Sequence, residues 1–405
     1  MFWVGEGNSA VKVTDVVRNL STLGGAKWDV HLVARGMKAQ GRAVLEMTIG
    51  EPDQPMSPEL APALTQALAA GRTSYSNGRG EPALLAALAQ RYTQRRGRPF
   101  STQQFLCFPG TQTALYALMR GLVQSGDEVI LFDPYYATYE GVIVSAGADI
   151  VRVPLDAEHG FCLDLEALKR AITPRTRAVL VNAPHNPTGA VLSDAEAWAL
   201  GELAVEHGLW LICDEVYEDL IFEGATSASP LNFSQFADHC LACASISKSN
   251  AAPGLRSGWA VGPAEVMDAL LPLAETMLFG NQPFIADATA LALQGDGATA
   301  QSLRTSYQQR AKRVCALLDG EAGLRVNPPQ AGMFVLVDVR ATGLDGYDFA
   351  MKLLQDQEVA VMPGTSFGEV TRGWIRLSLT VPDQRIDEAC RRIVAFARSQ
   401  IQKPA

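Results

Sequence analysis

The chain has 405 residues, 48% hydrophobic and 19% charged, with a net charge of −9. That composition excludes disordered and fibrous classes, and the negative balance lacks the clustered positive charge that a nucleic-acid backbone requires. The length exceeds one ordinary core and implies two or three domains.

The first twenty residues carry Glu6, Lys12, Asp15 and Arg18 where a secretion signal would be apolar. No apolar run reaches the ~18 residues that span a bilayer, so a cytoplasmic location is expected. An N-terminal arm and a short helix are expected over the first thirty residues. The basic stretch Arg91-Tyr-Thr-Gln-Arg-Arg-Gly-Arg98 reads as a solvated helix end. From about residue 104 to 262, short β-rich runs alternate with amphipathic stretches, the pattern of an α/β fold with a mostly parallel sheet flanked by helices. The expected strands are 105–108, 129–132, 150–153, 178–182, 209–213, 243–246 and 258–261.

Several helices have readable limits. Leu165, Leu168 and Ile172 share one apolar face of a helix that must stop before Pro174. Ser193-Asp-Ala-Glu196 is a capping box, and Gly208 closes the same helix. Ile386, Cys390, Ile393 and Ala397 mark an apolar stripe near the C-terminus. The seven cysteines are an odd number and cannot all pair, so reduced thiols are expected. Cys240-Leu-Ala-Cys243, beside His239, spells C-x-x-C; without a second such pair it reads as buried strand, and no metal site is expected.

The chemistry concentrates in Ser245-Ile-Ser-Lys248, followed eight residues later by Arg256 and preceded by Asp214-Glu-Val-Tyr217. Around these lie Gly50-Glu-Pro-Asp53, Ser74-Tyr75, Gly110-Thr-Gln-Thr-Ala114, Asp133-Pro-Tyr-Tyr136, Asn186-Pro-Thr-Gly189 and Arg376. In this order and at these spacings the chain resembles the class I/II aminotransferases, which use pyridoxal 5′-phosphate and have fold type I, that of the aspartate aminotransferase superfamily. The resemblance implies a large cofactor-binding domain, residues 61–294, with a seven-stranded mostly parallel sheet. Residues 1–60 would supply an arm and part of a smaller α+β domain completed by residues 295–405. It also implies a homodimer with a shared active site. No Gly-x-Gly-x-x-Gly follows the first strand, which argues against a dinucleotide.

Residue by residue, the resemblance makes Lys248 the amine that holds the cofactor aldehyde as a Schiff base and afterwards moves a proton. Asp214, at the carboxyl end of a strand, faces the pyridine nitrogen; Glu215 next to it points elsewhere. Tyr217 and Asn186 meet the phenolic oxygen. Thr111 and Gln112, at a strand-to-helix junction rich in free amides, cradle the phosphate with Ser245 and Arg256. Tyr75 reaches the phosphate of the neighbouring subunit. Tyr136 stacks on the ring, with Tyr135 as its rival. On the substrate side, Arg376 clamps the α-carboxylate and Gly50 approaches it with bare backbone.

The donor stays open. Between Ser257 and Leu303 there is no Lys or Arg, so the distal cation of aspartate-specific relatives is missing from its usual segment. Gly25-Ala-Lys-Trp-Asp-Val-His31, Ile172-Thr-Pro-Arg-Thr-Arg177 and Gly332-Met-Phe-Val-Leu-Val-Asp338 resemble bacterial arginine–pyruvate and broad-range transaminases. Glu275 and Asp29 are candidate counter-charges for a basic side chain. A C–S lyase or synthase of the same fold is the alternative activity.

Overall fold

The structure, a computed structural model, describes residues 13–23 and 26–401; Glu6, Lys12 and Gly25 lie outside them. Twelve strands among the described residues form two sheets. In chain order they are β1 (Leu45–Met47), β2 (Phe105–Phe108), β3 (Glu128–Asp133), β4 (Asp149–Pro154), β5 (Thr176–Asn182), β6 (Trp210–Asp214), β7 (Cys240–Ser245), β8 (Gly258–Val261), β9 (Arg325–Asn327), β10 (Phe334–Asp338), β11 (Val359–Pro363) and β12 (Trp374–Ser378).

The large sheet has the order β2-β8-β7-β6-β5-β3-β4. Only β8 runs antiparallel to its neighbours; the pairs from β7 across to β4 are parallel. Its central strands are buried on both faces because helices cover both, and they therefore read as continuous apolar runs. Helices Thr111–Leu122, Tyr139–Ser145 and Ala264–Leu278 build the core on one face. Helices Pro82–Arg96, Asp194–His207 and Pro283–Gln294 build it on the other. The second sheet, β1-β11-β12-β10-β9, is mixed. β1 pairs in parallel with β11, which places the segment just before Gly50 beside the C-terminal third of the chain. Helices Asp29–Ala39, Ala298–Leu318, Gly346–Gln357 and Asp383–Ile401 pack around this sheet.

The capping box at Ser193 and Glu196 is present in both directions, and Gly208 ends that helix at φ +63°. Ile386, Cys390, Ile393 and Ala397 are all fully buried on the last helix. Of the Leu165, Leu168, Ile172 face only Leu168 is fully buried, and the helix stops at Ala171.

Two expectations change. The strand placed at 243–246 runs instead from Cys240 to Ser245, and Ile246 opens the short helix Ile246–Ser249. The switch occurs where the Ser245 hydroxyl caps the new helix by accepting from the Ser247 amide, at 3.3 Å. Cys240 and Cys243 sit in the cores on opposite faces of the sheet, as residues three apart on a strand must. The basic stretch at the end of helix Pro82–Arg96 is not solvated: Arg91, Arg95 and Arg96 pair with Glu218, Asp219 and Glu215 of the turn after β6. None of the helices among the described residues is long and apolar enough to cross a membrane.

Candidate active site

The carboxyl ends of β5, β6 and β7 stop side by side at Asn182, Asp214 and Ser245. A cleft of about 450 Å³ opens there, in the position where ligands bind on doubly wound sheets, and residues of the second sheet form its far wall. Every site residue proposed from the sequence lines this cleft except Tyr75.

One end is built for an anion. Helix Thr111–Leu122 starts after Gly110, whose φ of +87° and closeness to the Arg256 guanidinium leave no room for a Cβ. Arg256 itself has φ +51°. Its guanidinium is steadied by the carbonyls of Pro253 at 2.9 Å and Pro109 at 3.2 Å. The Thr111 hydroxyl is buried and has no hydrogen-bond partner. Gln112 accepts from the Thr138 hydroxyl at 3.0 Å. Free first-turn amides, a helix dipole, two hydroxyls and a guanidinium converge on this end.

Deeper in, Asp214 is 4% exposed. Its carboxylate accepts from the Tyr139 hydroxyl at 2.8 Å and the Val216 amide at 3.1 Å, and the Asn182 amide holds its backbone carbonyl at 2.9 Å. Burial outweighs these bonds and pushes the carboxyl up to about 6. Asn186 stands between two groups. It donates to the Tyr217 phenol at 3.4 Å and accepts from Arg376 at 3.0 Å, while its backbone amide is fixed by Asn182 at 2.8 Å. Burial raises the Tyr217 phenol far above its ordinary range. Tyr136 faces the cleft, and its ring meets Tyr139 edge to face at 5.5 Å. Tyr135 does not compete for that position, because its hydroxyl donates to Glu140 at 2.6 Å.

Lys248 enters from the start of helix Ile246–Ser249, and its amine donates to the Gly50 carbonyl at 2.5 Å. Burial lowers the amine to about 8, helped by Arg376 and Arg256 and opposed by Glu51 and Asp214. A Cβ at Gly50 would collide with the Phe334 ring. Arg376 is 4% exposed, and its guanidinium is sandwiched between the rings of Phe334 at 3.8 Å and Phe367 at 4.4 Å. It donates to Thr48 O at 2.7 Å, but its Nε–H has no partner. Burial pushes it down to about 10, so it remains a cation at neutral pH.

Tyr75 lies apart. It is 92% exposed, and its ring lies against that of Phe279 at 5.9 Å. The candidate counter-charges are also elsewhere: Asp29 accepts from the Tyr347 hydroxyl at 3.3 Å, and Glu275 packs under Gly78. Lys27 is paired with Glu140. The carboxylate that does line the cleft near its mouth is Glu51. Sequence reasoning missed Tyr139, Asn182, Phe334 and Phe367 as groups that hold the site, and Trp28 as part of its wall. Tyr139 had a signal, being three residues after Tyr136 in a tyrosine-rich segment.

The signature of the family described as Aminotransferase class I and II matches residues 42–393. The chain belongs to the class I and II aminotransferases. An arginine–pyruvate transaminase of Pseudomonas aeruginosa is 40% identical over 387 residues, covering 96% of this aminotransferase and 98% of its relative. The aspartate aminotransferase of Thermus thermophilus with maleate superposes with a TM-score of 0.89 at 32% identity, over 95% of this chain and 100% of that one. The N-succinyldiaminopimelate aminotransferase of Mycobacterium tuberculosis gives a TM-score of 0.88 at 32% identity, with the same coverage. The fold of this aminotransferase is that of fold type I, and its enzyme class is that of the pyridoxal-phosphate-dependent transaminases.

Proposed function

We propose that this aminotransferase holds pyridoxal phosphate in the cleft through Lys248, and transfers the amino group of an L-amino acid with a neutral or basic side chain to a 2-oxo acid. The observation that carries this reading is a pair of buried orphans in one cleft: the Thr111 hydroxyl at the anion end and the Arg376 Nε–H at the other. Buried polar atoms normally find partners, and a phosphate and a carboxylate are the partners these two fit.

When bound, the cofactor supplies an electron sink for negative charge at the substrate Cα. The chain's own residues do the rest. Arg256, Ser245, Thr111 and Gln112 bind the phosphate. Asp214, held by Tyr139, would face the pyridine nitrogen and favour its protonated form. Tyr217 and Asn186 would meet the cofactor's phenolic oxygen, and Tyr136 would cover its ring. Arg376, stiffened by two aromatic rings and Asn186, orients the substrate by its α-carboxylate, with Gly50 close beside it. Lys248, lowered to about 8, is free base in about a tenth of molecules at pH 7 and takes the proton from the substrate Cα. Tyr75, stranded on the surface of one chain, is read as completing the phosphate site of a second copy in a homodimer.

For the donor, the cations among the described residues lining the cleft are Lys248, Arg256 and Arg376, all with roles above, and Glu51, which also acts on the Lys248 amine, is the carboxylate near the mouth. Among the described residues lining the cleft, a distal substrate carboxylate would find no cation without a role; a basic side chain would find Glu51. The similarity to an arginine–pyruvate transaminase supports the same direction. The test compares kcat/KM for arginine, alanine, phenylalanine, glutamate and aspartate, with pyruvate and 2-oxoglutarate as acceptors. An unpaired buried charge costs several kcal/mol, so aspartate is expected to trail by roughly a hundredfold or more. Aspartate leading by about a hundredfold would overturn the donor reading. Lys248→Ala should bind the cofactor without its visible absorbance and lose turnover by orders of magnitude; full activity would overturn the reading altogether.

A further inference from the structure

The segment from Asp214 to Asp219 alternates between two environments. Asp214 and Tyr217 line the cleft, and Asp214 is bonded to Tyr139, which belongs to the core on one face of the large sheet. Glu215, Glu218 and Asp219 turn to the other side and meet the last turns of helix Pro82–Arg96, whose Tyr92 belongs to the core on the opposite face. Arg96 donates to Glu215 at 2.5 Å and to Glu218 at 2.8 Å through one nitrogen, and to Asn232 at 3.3 Å through another. Arg95 reaches Glu218 at 2.8 Å and Asp219 at 2.6 Å, and Arg91 forks onto Asp219 at 2.9 and 2.7 Å. Three guanidinium groups face three carboxylates, so the cluster is neutral.

Surface ion pairs of this kind contribute little and fix nothing. This cluster differs at its centre, where the side chains of Arg96 and Glu215 are 7% and 3% exposed. Buried partners cannot exchange their bonds for water, so the pair has one low-energy geometry. Arg96 is bonded to the residues on either side of the pair Val216-Tyr217, and Glu215 directly follows Asp214.

We propose that Arg96 is a positioning residue for the active site, clamping Glu215 and Glu218 from behind so that Asp214 and Tyr217 are held toward the cleft. The clamp rests on the reading that Asp214 and Tyr217 face the cofactor. Without it the buried Glu215 loses its ion-pair partner and Glu218 keeps only the outer arginines, so the turn after β6 relaxes, carrying Tyr217 away from the phenolic oxygen and leaving extra negative charge beside Asp214.

Arg96→Lys keeps the charge but has one nitrogen where the guanidinium places two, so it cannot hold Asn232 and the two carboxylates together in the same geometry. Its visible cofactor absorbance, titrated against pH, should move to a midpoint higher by about half a pH unit or more, because loss of a donor at the phenolic oxygen favours the protonated form. The apoenzyme's affinity for pyridoxal phosphate and kcat should each fall about tenfold, the worth of one charge-assisted hydrogen bond, with KM for the amino acid unchanged because Arg376 is untouched. Arg340→Lys, at the buried Asp338 pair remote from the cleft, is the control that lowers thermal stability without moving the midpoint. If Arg96→Lys fails to fold, Glu218→Gln removes one anchor and should show the same displaced midpoint. A lowered Tm with unchanged absorbance midpoint, cofactor affinity and kcat in the folded variant would overturn the clamp. Failure of the unmodified enzyme to bind pyridoxal phosphate would instead overturn the function on which it rests.

Discussion

Tyr139→Phe isolates one hydrogen bond. The phenol donates to the Asp214 carboxylate at 2.8 Å, both partners are buried, and phenylalanine fills the same space. A hydrogen bond to a charged group contributes roughly 1.5–3 kcal/mol, and each pH unit of pKa corresponds to about 1.4 kcal/mol. Removing the bond should therefore raise the Asp214 midpoint by about one to two pH units above the value of about 6 that burial already imposes. At pH 7 the ionised fraction would fall from about nine-tenths to between about a half and a tenth. The apoenzyme's affinity for pyridoxal phosphate, measured by fluorescence or absorbance titration and expressed relative to the unmodified protein, should drop about two- to tenfold at pH 7 and return to parity by about pH 9. A deficit of the same size at every pH would mean that Tyr139 acts by packing alone, and no deficit at any pH would mean that the Asp214 charge does not contribute to binding.

Asp214→Asn should separate stability from catalysis: the apoenzyme gains stability at neutral pH while kcat falls by orders of magnitude. The sign follows from the raised carboxyl, because the folded state holds the proton more tightly than the unfolded one. Asp214 thus costs increasing stability as pH rises from its ordinary 3.8 through about 6, approaching about 3 kcal/mol above that, and thermal melts of both proteins at pH 4 and 8 would expose a missing trend. Inactive Lys248→Ala mixed with an inactive Tyr75 variant should regain activity, since a hybrid dimer then has one intact site, whereas Lys248→Ala mixed with Arg376→Ala should not. Full activity at any dilution in a monomeric state would contradict the shared site.

The large sheet was legible because its strands are buried on both faces, and β5, β6 and β8 therefore appear as unbroken apolar runs that need no partner to be recognised. The cleft was legible for a different reason. Asp214 and Arg376 are charges in apolar runs and Arg256 sits in a glycine-rich stretch, where packing gives no cause for a charge, while Lys248, among serines, stands out by its spacing to them. What the sequence hid were the partners. Tyr139 and Asn182 belong to a buried helix and a strand end, where a tyrosine or an asparagine is unremarkable, and only the register of β5 against β6 brings Asn182 beside Asp214.

The arginine stretch was misread through the same limitation. Arg91, Arg95 and Arg96 end a helix, where cations favour the dipole and normally extend into water. Their partners lie more than a hundred residues on, in a turn whose acidic residues also look solvated when read alone. Each half is ordinary as a local pattern. Only the packing of helix Pro82–Arg96 against the sheet joins them, and burial then converts two surface-like charge runs into a single restraint on the segment that carries Asp214 and Tyr217. The same reasoning explains why Tyr75 could be assigned a role while remaining 92% exposed: its order among the motifs is a property of one chain, whereas any partner it has across a dimer belongs to another.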